Sequence, residues 1–344
     1  MKVLPFEEKP FFQCYHNRAF PLGVIQGNAA TDIMPWLCAK YINCSFEPQS
    51  YGMKFDICTF DAWGNIEKIT TSQTISLDKP IYDLLNINII ETIKKLIDNN
   101  YYVHGGYNEK YIPRKAAYKK YDCPHDYMII GYDDENKKLI SVGYTDSEKY
   151  ERFEINYEDY IQSLSKEHIE INTCKFNKNF KILLNLDRVI SELKDYISSS
   201  NSAYNAFLKK HYGIDALEKF KDYISECYEN KKIVEKKYTR AFNEHRNMML
   251  NRIRYLAQEI RAIRMDFVNV YSETFSYATN LYLLSIKNQI KPSKRITTAM
   301  INLITHIIEA DKKNIPEIIE ELEDYRKREK MEEKKQDRKK SSLY

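Results

Sequence analysis

Residues 125–146, HDYMIIGYDDENKKLISVGYTD, decide the reading of the first half of the chain. Two apolar runs, YMIIGYD and KLISVGYTD, flank the charged turn DENK, the pattern of a β-hairpin. The following stretch, YERFEINYED, alternates apolar and polar residues and is expected to add a strand to the same sheet. Upstream, IIETIKKLIDNN repeats apolar residues at Ile89/Ile90, Ile93, Leu96 and Ile97, the spacing of an amphipathic helix. Asn99–Asn100 mark its end, and YYVHGG opens another strand. KFDICTF reads as a strand after a turn at Ser50–Gly52, with NIEKITTS expected to pair with it. Residues from about 1 to 165 therefore read as α/β.

From about residue 178 the period becomes helical. ALEKFKDYISECY places Ala216/Leu217, Phe220, Tyr223/Ile224 and Cys227 on one face. Between Ile233 and about Ile286 neither glycine nor proline occurs, while Met249, Ile253, Leu256, Ile260, Ile263, Phe267 and Val270 step by three and four. ITTAMINLITHII and IPEIIEELEDY predict two more helices, and the tail EKMEEKKQDRKKSSLY is expected to fray. Helix breakers follow the same division. All nine glycines lie at or before Gly213, and eight of ten prolines at or before Pro124. The chain of 344 residues thus reads as two architectures. Residues 1–170 are expected to form an α/β domain, 171–330 an α-helical domain, and 331–344 a charged, disordered tail. The boundary falls near 165–178.

Composition removes several classes. With 53 basic and 49 acidic residues, the charge is too even to announce a nucleic-acid binder on composition alone, and none is expected. No apolar run reaches the ~18 residues of a membrane span, and MKVLPFEEKPFF lacks a signal-peptide core. Seven cysteines (14, 38, 44, 58, 123, 174 and 227) include no CxxC pair, which argues against a disulfide framework and a zinc site. A reducing cytoplasm and no bound metal are the expectation.

Cys14, in PFFQCYHNRAF, immediately precedes a predicted helix, where the backbone dipole favours thiolate. The plain alternative is a small buried apolar residue. His16 is set aside as its partner, because residues two apart on a helix face different ways. His125 opens the first strand of the hairpin. With the turn centred between Glu135 and Asn136, it would stand opposite Asp146, close enough for the carboxylate to orient the ring. A slip of one residue would abolish that pairing. His104 on the neighbouring strand could line a cleft, and Tyr107 and Tyr111 could help form an acyl pocket. Ordinary packing explains the two tyrosines equally well, and a partly exposed strand-end histidine beside the flexible Gly105–Gly106 is the favoured reading of His104. His245 and His306 fall on apolar helical stripes as core or boundary residues. RIRYLAQEIRAIR is either a docking face for an acidic partner or a solvated helix face.

Cys14, the stretch EKYIPRKAAYKKYDCPHDYMIIGYDDENKKLISVGYTD, and the helical half from HYGIDALEKF together resemble one family. It is the acyltransferases typified by butirosin biosynthesis protein H, papain-like proteins related to bacteriocin-processing cysteine peptidases. The match covers the first 165 residues and extends only loosely into the helical half. The resemblance implies an α+β chain, a papain-like domain followed by an α-helical bundle, with Cys14, His125 and Asp146 as a catalytic triad. It also implies acyl transfer in nonribosomal-peptide-type biosynthesis, from a phosphopantetheine thioester to a small amine acceptor, forming an amide. The arm belongs to an acyl or peptidyl carrier protein, so no cofactor is bound by the chain itself. A cysteine peptidase or amidase, or a non-catalytic scaffold that docks a carrier protein, are the alternatives. One departure favours the scaffold: papain-like enzymes place an oxyanion-stabilising glutamine about six residues before the cysteine, and here that residue is Glu8. The Cys14 backbone N–H could serve as one donor, which leaves the second open. Pro21 is expected to shorten the helix after Cys14.

Overall fold

The computed structural model describes residues 1–47, 54–57, 68–165, 167–202 and 210–341. In chain order the elements begin with β1 (Lys2–Val3), α1 (His16–Asn28), α2 (Met34–Leu37), β2 (Cys44–Glu47), β3 (Lys54–Ile57) and β4 (Thr70–Asp78). Next come α3 (Lys79–Leu84), α4 (Ile89–Asp98), β5 (Tyr102–Asn108), β6 (Pro124–Asp133), β7 (Lys138–Tyr144), β8 (Tyr150–Asn156), α5 (Tyr157–Ser163) and β9 (His168–Phe176). The remainder is α6 (Leu186–Ile197), β10 (His211–Tyr212), α7 (Gly213–Glu229), α8 (Lys236–Arg254), α9 (Asp266–Ile290) and α10 (Lys294–Ser341). The chain is therefore mixed α+β, with a sheet early and helices late.

Two compact units divide it: Met1–Thr31 with Asp61–Lys181, and Asp32–Phe60 with Ile182–Tyr344. The expected boundary at 170 moves to Lys181–Ile182 because β9 extends the first unit. Residues 32–60 leave the first half altogether. Side chains of α8 explain why. His245 Nε2 donates to Ile42 O at 2.8 Å, and Arg252 Nε to Cys38 O at 2.8 Å, while Arg252 Nη2 also donates to Lys40 O. Buried donors on the helix thus satisfy the carbonyls of an irregular segment that could not be buried otherwise.

In the first unit the strands run in the order β4-β9-β5-β6-β7-β8, and β1 pairs with one end of β6. The hairpin, the strand YERFEIN and the helix at Ile89–Asp98 form as the sequence predicts. Of the expected apolar face of α4, Ile89, Ile90, Ile93 and Ile97 are buried. Asn88 caps this helix by accepting from Glu91 N–H. These isoleucines join Val103, Met128, Ile129, Leu139, Val142 and Ile155 in one core. Among the described residues NIEKITTS does not pair with KFDI. Its Thr70–Ser72 open β4, which runs antiparallel to β9 from Thr70–Phe176 to Asp78–His168, whereas β3 pairs with β2. Residues 65–67, the turn at Ser50–Gly52 and residues 58–60 lie outside the described residues.

Helix α1 is longer than Pro21 implied: it continues through the proline to Asn28. Chain from Phe6 lies directly on it, since a Cβ on Gly27 would come within 2.5 Å of Phe6 Cα. That close packing holds the helix despite the missing N–H.

In the second unit β10, β2 and β3 form a small sheet, α8 packs on α9, and α10 packs on α6, α7 and α9. The expected face of α7 is buried throughout, from Ala216 to Cys227. Three expectations change here. The breaker-free stretch is interrupted after α8 by a π-helical turn over Tyr255–Glu259. Pro316 divides nothing, because α10 runs through it. The tail expected to fray is helical as far as Ser341. His245 is fully buried, while the side chain of His306 is 57% exposed, so only the first is a core histidine.

Candidate active site

The site is built where β6 outruns β7. Paired positions sum to 271 from Asp133–Lys138 to Gly131–Ile140, then to 270 at Ile129–Ser141. A bulge at Ile130 has therefore shifted the register by one, and the ladder stops at Met128–Val142. His125 lies three residues beyond the ladder's end and is not opposite Asp146. The Asp146 side chain is 57% exposed and 4.0 Å from Arg114 Nε, and its N–H donates to Arg114 O at 2.7 Å. The expected His125–Asp146 pair is corrected on that ground.

Glu109 takes the place expected of Asp146. On the other side of β6, Tyr107 is the register partner of His125. Glu109 lies two residues past Tyr107, on the diagonal that a long side chain can span. Its Oε1 is 2.9 Å from His125 Nδ1. Glu109 N–H donates to Cys123 O, which fixes the backbone just past the strand end. Burial alone would raise the Glu109 carboxyl. The His125 hydrogen bond and the Lys115 charge outweigh burial and hold it below its ordinary value. A carboxylate on Nδ1 sets the tautomer of a neutral ring, leaving Nε2 to accept a proton.

Lys115 closes the floor. Its side chain is 2% exposed, with Nζ 3.5 Å from Glu109 Oε1, 2.5 Å from Tyr144 O and 4.8 Å from the centre of the Phe153 ring. Burial lowers its pKa, against the opposing pull of Glu109.

Cys14 is buried in the loop that leads into α1. Tyr144 Oη donates to Gln13 O at 2.6 Å, tying that loop to the end of β7. His16, the first residue of α1, has its ring 4.8 Å from that of His125. Two residues of chain span at most about 7 Å, which bounds the distance between the Cys14 and His16 Cα atoms. The helix begins after Cys14, and the argument that set His16 aside therefore does not apply. Gly143, at φ 154°, passes so close that a Cβ there would stand 3.3 Å from His16 Nε2. Glu8 is paired with Arg152 at 2.6 Å.

The remaining candidates divide. Tyr107 is buried and stacked on Tyr127 at 5.1 Å, and Tyr127 shares a hydroxyl hydrogen bond with Tyr160. Tyr107 is thus core beneath His125, and burial pushes its hydroxyl well up. Tyr111 is half-buried at the end of the short 3-10 turn that begins with Glu109. His104, inside β5 opposite Met128, is brought down to about 4 by burial, with Glu170 opposing. In RIRYLAQEIRAIR, Arg252 is buried, and Arg264 is paired with Glu317 and Glu321, so neither belongs to an open basic face. Among the described residues no three His, Cys, Asp or Glu side chains gather as a metal ion would require. No helix among them is long and apolar enough to cross a membrane.

Sequence reasoning missed Glu109, Lys115 and His16. Glu109 was within reach of the β5–β6 register, had the loop between those strands not hidden it. No family model matches the chain, and no curated protein matches it.

Proposed function

We propose that the first unit is a papain-like cysteine acyltransferase domain with Cys14 as nucleophile, His125 as general base and Glu109 as the carboxylate that orients it. The observation that carries this reading is the 2.9 Å contact between His125 Nδ1 and Glu109, beside the cysteine-bearing mouth of α1. His125 Nε2 takes the thiol proton, and Cys14 Sγ attacks the carbonyl carbon of a thioester. The tetrahedral intermediate collapses, breaking the bond to the departing sulfur, which leaves with the proton from His125. An amine then attacks the acyl-cysteine. His125 accepts its proton and returns it to Cys14 as the carbon–sulfur bond breaks and the amide is released.

The donor in this reading is an acyl or peptidyl group on the phosphopantetheine arm of a carrier protein, and the acceptor is a small amine. The resemblance of the Cys14 region and the 109–146 stretch supports that choice. A catalytic thiol of this kind belongs in the reducing cytoplasm. The test is intact-protein mass spectrometry after mixing with carrier proteins loaded with a panel of acyl groups. An adduct mapped to Cys14, discharged by added amine and absent in Cys14→Ala, is the expected result. Undiminished transfer by Cys14→Ala would overturn the reading.

A further inference from the structure

An acyl group attacked by a thiolate places negative charge on its carbonyl oxygen, and donors already aimed at that oxygen supply much of the catalysis. Glu8 is no such donor: it is a carboxylate held by Arg152 at 2.6 Å. His16 is the first residue of α1, two after Cys14, and is 6% exposed. Tyr144 N–H lies 3.4 Å from its Nε2, which places the ring proton of the neutral form on Nδ1. Among the described residues nothing accepts from that nitrogen. A buried N–H without an acceptor is costly, and such groups are rare unless a function retains them. The ring is also immobilised, stacked on Phe20 at 4.6 Å and on Tyr144 at 5.7 Å, with His125 at 4.8 Å. Burial, with the nearby His125 and Lys115 charges, keeps His16 uncharged well below its ordinary pKa.

Resting on the acyl-transfer reading, we infer that His16 Nδ1–H is a hydrogen-bond donor to the oxyanion formed when Cys14 attacks an acyl carbon. His16 transfers no proton. The carbonyl π electrons move to the oxygen as the carbon–sulfur bond forms, His16 stabilises them there, and they return as the leaving group departs.

Two reagents separate this role from simple support of the site. p-Nitrophenyl acetate acylates Cys14 through an oxyanion and releases p-nitrophenolate. Iodoacetamide alkylates the same sulfur by displacing iodide, with no oxyanion. Both rates are read on the Cys14 peptide by mass spectrometry. In His16→Phe, acetylation is expected to slow by about 10²-fold, the scale for losing one oxyanion donor, while alkylation keeps its wild-type rate. His16→Asn, whose amide places an N–H where Nδ1 stood, should recover most of the loss. It also carries the comparison alone if His16→Phe does not fold, through its ratio of acetylation to alkylation. Equal loss of both rates, no loss of acetylation, or a collapsed ratio in His16→Asn overturns the inference. If Cys14 is acetylated but accepts nothing from any carrier protein, the carrier reading falls and His16 keeps its role. If wild-type Cys14 is acetylated no faster than in the urea-unfolded chain, both fall.

Discussion

Glu109 does two things at once: it orients His125 and it neutralises Lys115, whose ammonium has almost no access to water. Replacing the carboxylate by an amide keeps the shape but removes the charge that fixes the imidazole tautomer. Glu109→Gln is therefore expected to slow acyl transfer by roughly 10²-fold or more, toward the ~10⁴ of a lost triad carboxylate. It should also cost about 3 kcal/mol in urea unfolding, because a buried ammonium loses its counter-charge. Asp146→Asn breaks only an exposed contact at 4.0 Å and should leave both rate and stability nearly unchanged. Single-turnover kinetics on the two variants check this, and the reverse ranking would restore Asp146 as the orienting residue. The sequence offered His125 and Cys14 as candidates. It could not carry Glu109, since a partner 16 residues away on another strand is defined by register and reach rather than by local pattern.

At the scale of elements, apolar periodicity predicted where helices run but not where they stop. After α8, Ile260 N–H donates to Tyr255 O at 3.1 Å and Ala262 N–H to Leu256 O at 2.9 Å, closing the helix end with Arg261 at φ 56°. The turn satisfies the last carbonyls without glycine or proline, so no breaker marks it in the sequence. Arg261 bears the strain of the left-handed region, which glycine avoids. Arg261→Gly should accordingly raise unfolding stability by about 1 kcal/mol, measured by urea titration. A loss would mean that the arginine side chain contributes more than its backbone costs. The opposite lesson comes from Pro21 and Pro316. Each sits inside a helix whose packing outweighs one lost hydrogen bond.

For the whole molecule, each unit holds neutral histidine away from water: buried His16 and half-buried His104 in the first, buried His245 in the second. Burial lowers all three, His104 to about 4 and His245 to about 3. In the unfolded chain a histidine binds its proton near pH 6.5. Below that value the unfolded state holds more protons, so this stability is complete above about pH 6.5 and is lost as pH falls toward the folded values. His104 and His245 each contribute a loss of about 2 kcal/mol between pH 6.5 and 5, and His16 adds to it in the same direction. Glu109, held below its ordinary value, stays ionised across that window. His245→Gln retains a donor for Ile42 O but does not titrate, so the second unit's loss should shrink by about that amount. An unchanged slope in the variant would show that His245 is not the source.

The sequence by itself determined the hairpin, the helix at Ile89–Asp98 and the helical second half. These follow from periods of two and 3.6, which a chain must show wherever one face is buried. Only the tertiary structure decided that residues 32–60 join the second unit, that Glu109 rather than Asp146 meets His125, and that His16 stands against the site. Each depends on segments far apart in sequence, held together by a bulge, a diagonal contact or a buried donor that no local pattern encodes.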